Sequence, residues 1–202
     1  MVSLLLKTDN HNLILLYIRS LGGASISAFF LKKKKISGNI STKTQGGVTL
    51  VSIQKATSGH TVCAARLALC LWPQHTIEEL ADEFASLLQQ KDAAVFLAFR
   101  EGAPIGFAQC QLRHDYVEGT ESSPVGYLEG IYVTEGFRKT GVAKALLAAC
   151  ENWAQEKGCT ELASDCELSN TQSLAFHLNV GFQEAGRIIC FTKKLTQKGQ
   201  SF

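Results

Sequence analysis

The stretch "LEGIYVTEGFRKTGVAKALL", residues 128–147, joins a strand pattern to a helix pattern through a basic turn that contains glycine. Its first part is apolar with β-branched residues, and from Val142 onward the apolar residues recur with helical period. The first N–H groups of a helix lack intrahelical partners, and Gly141 lets the backbone approach an anion closely. The helix dipole adds partial positive charge, so the turn is expected to hold a diphosphate.

Alternating hydrophobic periods on both sides of this stretch predict one α/β domain that begins near residue 48. Its strand patterns are 48–55, 93–100, 104–113, 125–133, 159–168 and 187–195. Helix patterns follow Thr57 or Ser58, the capping box of Thr76 and Glu79, Gly141, and Asn170. This order predicts an α/β sheet of mixed direction. It lacks the glycine fingerprints of dinucleotide-binding folds and P-loops.

The first 47 residues differ in charge from the rest of the chain. They carry seven Lys or Arg and one acid, a net charge of +6, whereas residues 48–202 carry thirteen against seventeen, a net charge of −4. Polar and charged residues interrupt every apolar run, so we expect neither a secretory signal nor a membrane span. The sequence predicts a poorly ordered extension over 1–47 and one folded domain over 48–202. "KKKK" at 32–35 is typical of a solvated tail, so no nucleic-acid or membrane partner is expected.

Seven cysteines are scattered without a CxxC pair and without zinc-like spacing to the five histidines. The sequence therefore predicts no metal site. Reduced thiols inside apolar segments are typical of a cytoplasmic protein. Cys70 and Cys150 fall on helical apolar stripes, and Cys110 and Cys190 fall in strand patterns, so packing in the core is predicted for all four.

Two carboxylates stand in unusual surroundings. Glu129 interrupts an apolar strand, and Asp165 in "ASDC" is flanked by small and apolar residues. A buried acid is costly unless it is paired or faces a site. Either a salt bridge within the fold or contact with a cationic ligand would explain each of them.

The basic turn "RKTGVA" at 138–143, the preceding strand with Glu129 and Gly130, Asn170, and "FHLNVGF" together resemble the general N-acetyltransferase (GNAT) superfamily. Six ordered blocks are similar more narrowly to the aminoglycoside 6'-N-acetyltransferases: "LWPQH", "RHDYVEG", "SSPVGYLEGIYV", "RKTGVAKALL", "GCTELASDCELSNTQS" and "GFQEAGRIICF". The resemblance covers about residues 48–195. It implies the GNAT acyl-CoA N-acyltransferase fold, which has a mixed, mostly antiparallel sheet flanked by helices. It also implies acetyl-CoA as donor and an aminoglycoside antibiotic as acceptor. It also implies a homodimer with a resistance role in the bacterial cytoplasm.

The resemblance also implies roles for individual residues. Backbone contacts to the pantetheine arm fall to Ile131, Tyr132 and Val133, and Asn170 matches a residue that bonds the same arm. The pyrophosphate turn comprises Arg138, Lys139, Thr140, Gly141, Val142, Ala143 and Lys144. Positions that contact the substrate are Trp72, His75, Tyr116, Glu129 and Asp165. Glu129 is expected to orient the amine, because a carboxylate beside an amine raises its pKa and opposes deprotonation. Asp165 or solvent would then take the proton.

Two residues depart from the family pattern. His177 stands where many acetyltransferases carry a tyrosine that protonates the leaving thiolate, so the acid is either His177 or solvent. Gly186 stands where some relatives are expected to carry a carboxylate. The residues leave two other functions open: acetyl transfer to a different amine, such as a polyamine or a protein N-terminus, and acyl-CoA binding without catalysis.

Overall fold

The computed structural model describes residues 2–7, 13–18, 39–44 and 47–194, with side chains from residue 50 onward. The chain divides into two compact units, Met1–Ile36 and Ser37–Phe202. In the first unit, β1 (Val2–Lys7) and β2 (Leu13–Ile18) pair antiparallel as a two-stranded sheet.

The second unit is built on a six-stranded sheet whose strands lie side by side in chain order. They are β3 (Asn39–Thr44), β4 (Gly47–Lys55), β5 (Ala93–Arg100), β6 (Ala103–Arg113), β7 (Val125–Val133) and β8 (Leu162–Ser164). Neighbours pair antiparallel except β7 and β8, which are parallel. The predicted mixed, mostly antiparallel sheet is confirmed. Strand β3 lies within the predicted extension, and the domain boundary at residue 48 stays a prediction.

Four helices accompany this sheet: α1 (Thr61–Ala68), α2 (Ile77–Leu87), α3 (Val142–Glu156) and α4 (Thr171–Val180). The predicted capping box is present, since Thr76 Oγ1 accepts from the Glu79 N–H and the Glu79 carboxylate accepts from the Thr76 N–H. Alternate residues of the sheet build two cores. Leu146 of α3 belongs to one, and Phe84 of α2 packs against Phe107 in the other. The sheet is therefore covered on both faces.

Two predicted strands differ from the structure. The pattern at 159–168 gives only the three residues of β8, and residues 187–194 form no strand. An apolar segment forms a strand only where a neighbouring strand can pair with its backbone N–H and C=O groups. Strand β8 has three residues, so it offers the C-terminal segment very few such groups. In the C-terminal segment, the side chains of Ile188, Ile189 and Phe191 are 79%, 81% and 87% exposed.

The prediction that four cysteines pack in the core is half right. Cys110 and Cys150 are buried, whereas Cys70 and Cys190 are exposed. Helix α1 ends at Ala68, so its apolar stripe does not reach Cys70. Cys190 lies in the segment where the predicted strand is missing.

No helix in the part of the chain that the structure describes is long and apolar enough to cross a membrane.

Candidate active site

Glu129 sits at an irregularity in the pairing of β6 with β7. Gln109 pairs with Gly130 and Cys110 pairs with Leu128, so Glu129 is the extra residue of a bulge. A bulge bends its strand and re-aims the side chain of the unpaired residue. Here it directs the Glu129 carboxylate into a cavity of about 610 Å³.

Arg113, the last residue of β6, binds the Glu129 carboxylate inside this cavity. Its Nη2 donates to both carboxylate oxygens at 3.0 Å, and its Nε donates to Oε1 at 3.3 Å. The guanidinium carbon also lies 3.3 Å from the centre of the Tyr127 ring. The two side chains are 42% and 22% exposed, so water reaches this ion pair.

Trp72 forms part of the cavity wall by packing directly on the strand that carries Glu129. A Cβ placed on Gly130 would lie 2.9 Å from Trp72 Cζ2, closer than atoms can pack. The indole also meets the Phe107 ring edge-on at 5.9 Å. Glycine at residue 130 is therefore what lets the indole lie against β7.

The structure brings three of the predicted substrate residues, Trp72, His75 and Glu129, into one cavity. The complete lining is Trp72, Gln74, His75, Leu80, Glu83, Gln109, Gln111, Arg113 and Glu129. His75 precedes α2, and its Nδ1 lies 4.0 Å from Oε2 of Glu79 in the first turn of that helix. The cavity therefore presents carboxylate and amide groups beside an aromatic wall, which suits a cationic, hydroxyl-rich ligand.

Tyr116 and Asp165 do not line this cavity. Tyr116 is 81% exposed and its hydroxyl donates to Glu118 Oε2 at 2.8 Å. Asp165 is exposed rather than enclosed, and it lies beside Tyr127. Burial, together with the charge of Asp165, raises the pKa of Tyr127 to about 12. Asp165 is thereby linked to Glu129 through the Tyr127 ring and the stacked Arg113.

The short strand β8 pairs with only the first part of β7. Their parallel pairing ends at Leu128 and Ser164, and β7 continues to Val133. Among the described residues, no strand pairs with the backbone of 129–133 on that side. An extended ligand arm could bind there as an added strand. The Val133 side chain is buried, and those of Ile131 and Tyr132 pack against the two cores, which leaves the backbone for contact.

The basic turn precedes the first turn of α3, as predicted. Gly141 is the N-cap with φ +90°, and no side chain caps the helix. Lys139 has φ +60°, an uncommon value for a residue with a Cβ. Arg138 Nε donates to the Val133 carbonyl at 3.0 Å, and Thr140 Oγ1 donates to the Phe137 carbonyl at 2.7 Å. These bonds fix the turn while the N–H groups of 142–144 stay open to an anion.

The other members of the predicted turn have different surroundings. Val142 is buried in the core, and Ala143 packs against it. Lys139 and Lys144 are exposed. Only the exposed members can contribute charged side chains to a bound diphosphate, so Val142 and Ala143 would act through their backbone.

Asn170 is the N-cap of α4, and its Oδ1 accepts from the Ser173 N–H at 3.0 Å. The cap uses only the oxygen of the amide group. A contact between its NH₂ group and a bound arm stays a prediction.

His177 lies on α4 at the point where β7 and β8 part. Its Nδ1 is 2.8 Å from the Ser173 carbonyl, which can only accept, so Nδ1 carries a proton. Its Nε2 is 2.9 Å from Ser164 Oγ, which is 3.0 Å from the Leu128 carbonyl. When the serine donates to Leu128, Nε2 must donate to the serine and the ring is cationic. When the serine donates to Nε2, the ring is neutral, so a rotation of one hydroxyl accommodates either state.

The polar face of β6 was not predicted from the sequence. Gln109, Gln111 and Arg113 alternate with the apolar Cys110 and Leu112, and all three line the cavity. This period of two is the signal that could have identified them. Glu83 also lines the cavity from α2, and its neighbours in the sequence give no such signal.

Comparison with known proteins identifies the family. The model of the acetyltransferase (GNAT) family matches residues 64–182. A protein from Stenotrophomonas maltophilia named aminoglycoside N(6')-acetyltransferase type 1 is 43% identical over 145 residues, 71% of this chain and 94% of the relative. The chain belongs to the GNAT family, in the group of the aminoglycoside N(6')-acetyltransferases.

Further relatives agree with this placement of the acetyltransferase. A Salmonella typhimurium protein of the same name is 45% identical over 124 residues, 61% of this chain and 86% of that protein. The solved structure of aminoglycoside N-acetyltransferase AAC(6')-Iy in complex with CoA has a TM-score of 0.72 and 39% identity, covering 75% of this chain and all of that one. AAC(6')-Iy in complex with the bisubstrate analogue CoA-S-monomethyl-acetylneamine has a TM-score of 0.69 and 41% identity, covering 72% and 99% of the two chains.

Proposed function

We propose that this acetyltransferase moves the acetyl group of acetyl-CoA to the 6'-amine of aminoglycoside antibiotics by direct attack in a ternary complex, and so confers resistance. The observation that carries the proposal is the position of Glu129. Its carboxylate enters a polar cavity from the bulge of β7, next to the β8 side of β7, where no described strand pairs with the backbone beyond Leu128. An acceptor cation held there lies beside an arm bound along that backbone.

In this proposal the donor is held by main-chain groups. Residues 131–133 pair with the pantetheine arm, and the open N–H groups at the start of α3 bind its diphosphate. A strand N–H beside the thioester carbonyl would stabilise the developing oxyanion. The exposed Lys139 and Lys144 add positive charge around the phosphates.

Glu129 orients the acceptor nitrogen rather than deprotonating it. A carboxylate raises the pKa of an ammonium that it binds, so the proton must leave by another route before attack. The cavity is open to water, which can take this proton. Asp165, linked to the cavity through Tyr127, is the second candidate acceptor for it.

The neutral amine then attacks the thioester carbonyl, forming a C–N bond as the C–S bond breaks, and the nitrogen gives up a second proton to water in the open cavity. We propose that His177 supplies the proton that the leaving thiolate takes up. Its Nε2 can hold that proton through the Ser164 contact described above. Trp72 and His75 complete the acceptor site, and Tyr116 is proposed to join it from its exposed loop.

We also propose a cytoplasmic homodimer. The exposed side chains of Ile188, Ile189 and Phe191 support a second copy as the partner, because large apolar groups in one segment are rarely left to water. Sedimentation velocity tests this: a dimer is expected for the native chain and a shift toward monomer for Ile189→Lys. A native chain that sediments as a monomer at micromolar concentration would contradict the proposal.

Mass spectrometry tests the activity. Kanamycin incubated with the enzyme and acetyl-CoA should gain one acetyl group, which fragmentation should locate on the 6'-nitrogen. Glu129→Gln should lower kcat/KM by about 10- to 100-fold, the range for loss of a hydrogen bond to a charged group. Glu184→Gln, which removes a carboxylate that pairs with Arg187 outside the cavity, should leave the rate unchanged.

Spermidine and a peptide with a free N-terminus serve as alternative acceptors. Their acetylation in place of kanamycin would assign another amine substrate. Tight acetyl-CoA binding without thiol release for any amine would assign a non-catalytic module. Either result would overturn the proposed function.

A further inference from the structure

Glu129, the residue proposed to hold the acceptor amine, already has a cationic partner. The Arg113 guanidinium binds both of its oxygens at 3.0 Å, and both side chains line the cavity. An acceptor ammonium needs the same oxygens. Arg113 and the acceptor therefore compete for one carboxylate.

Arg113 has a second contact that can hold its guanidinium after it separates from Glu129. Its guanidinium lies 3.3 Å from the centre of the Tyr127 ring, a stacking contact that does not depend on Glu129. Asp165 lies beside the Tyr127 hydroxyl and would balance the charge of a guanidinium that stays on the ring. The arginine is also 42% exposed, so water can solvate it during the exchange. Displacement therefore does not strand a buried charge.

A tethered guanidinium is a selective competitor. The Arg113 guanidinium has a high effective concentration at the Glu129 carboxylate because it belongs to the same chain. A simple amine whose only contact is with that carboxylate therefore cannot readily replace it. A larger polycation can, because it also contacts the other groups of the wall, among them Glu83, Gln111 and Trp72. An arginine in this position favours acceptors that engage the whole cavity.

We infer that Arg113 is a specificity-determining residue that occupies the amine position on Glu129 in the unliganded protein and is displaced by a polycationic acceptor. This inference rests on the proposed function. Arg113 is not a catalytic residue here, because it moves no proton and leaves the acceptor's position before attack. Its effect is on which amines reach Glu129.

Kinetics of Arg113→Gln test the inference. Removing the competitor should lower the KM for kanamycin by about two- to fivefold, the range for a partly exposed ion pair, with little change in kcat. The KM for a simple monoamine such as 6-amino-6-deoxyglucose should fall by a similar factor, because the same ion pair must break before either amine reaches Glu129. Weak acceptors then come into the concentration range in which they are acetylated. Arg113→Lys, which keeps the charge, should stay near the native values. Arg187→Gln, which breaks an arginine–glutamate pair outside the cavity, is the matched control.

An unchanged KM for Arg113→Gln would overturn the inference, because the pair would then be structural only. A higher KM that Arg113→Lys restores would overturn it as well, because Arg113 would then contact the acceptor. Calorimetry compares the dissociation constant for kanamycin among the native protein and the same Arg113 variants, without turnover. If the native enzyme binds kanamycin but does not acetylate it, the proposed function fails while the displacement can still be measured.

Nuclear magnetic resonance of the native protein covers the case in which Arg113→Gln does not fold. The Arg113 Nε–H signal, assigned by its loss in Arg113→Lys, should move on saturation with kanamycin. It should move in the same direction in unliganded Glu129→Gln. A signal that stays in place at saturating kanamycin would show that the ion pair remains intact, and would end the inference.

Discussion

Gly130→Ala should separate the packing of Trp72 from the rest of the fold. A Cβ at residue 130 would lie 2.9 Å from Trp72 Cζ2, 3.0 Å from Cη2 and 3.3 Å from Leu71 Cδ1. Carbon atoms pack at about 3.5–4.0 Å, so the indole must retreat by about 0.5–1 Å. Phe107 already contacts this ring, which limits where it can go.

The magnitude follows from two opposing effects. Overpacking of this kind costs about 1–3 kcal/mol, and replacing a strand glycine with alanine returns about 0.5–1 kcal/mol. The free energy of unfolding should therefore fall by up to about 2.5 kcal/mol, which lowers Tm by up to roughly 10 °C in a chain of this size. Because Trp72 forms a wall of the cavity that we propose for the acceptor, kcat/KM for kanamycin should fall by at least about tenfold.

Thermal unfolding and steady-state thiol release measure the two effects. Gly126→Ala is the matched control, since its Cβ would meet Ala154 Cβ at 2.7 Å and Leu162 Cδ1 at 2.8 Å, outside the cavity lining. It should destabilise the protein comparably and leave the KM for kanamycin near the native value. A Gly130→Ala variant with native kcat/KM, or equal kinetic losses in the two variants, would refute the role given to Trp72.

Three further predictions concern other parts of the domain. Gly141→Ala should raise the KM for acetyl-CoA several-fold with little change in the KM for kanamycin, because φ +90° costs a residue with a Cβ about 1–2 kcal/mol and the turn must distort; equal changes in both constants would contradict this. The raised pKa of Tyr127 favours the folded state below pH 10, and this contribution is lost as the pH rises from about 10 through about 12; tyrosinate absorbance should show a late phase near pH 12 that Tyr127→Phe lacks. A thiol reagent should modify the exposed Cys70 and Cys166 in the folded protein and Cys110 and Cys150 only on unfolding; the hydrogen bond with Cys110, together with burial, raises the pKa of Cys150, which slows its reaction further.

The strand β7, the turn and helix α3 were predictable because their signals are local. The pattern over Val125–Val133 predicts that strand residue for residue, and Gly141 marks the start of the helix that follows. Capping at Thr76 and Asn170 depends on a contact with the residue three positions later, so both caps can be recognised within a short stretch of sequence. The resemblance then pointed to three side chains that do meet in one cavity.

Features that depend on a partner distant in the chain were not predictable in this way. The pattern at 187–195 predicts a strand, yet residues 187–194 form none, because pairing needs an edge that the pattern cannot supply. Asp165 looks enclosed by its neighbours in the sequence, but it is exposed in the fold. Cys70 is exposed because α1 stops before it.

By itself, the sequence determined the order of the elements from β4 to α4, the basic turn at the start of α3 and the presence of an acid in the strand before it, since each depends on residues close together in the chain. Only the tertiary structure decided what that acid does. The bulge that turns Glu129 into the cavity, the Arg113 guanidinium on its carboxylate and the Tyr127 ring beneath that guanidinium come from the register between β6 and β7. Register is set by the packing of both faces of the sheet at once, and one strand read alone does not contain it.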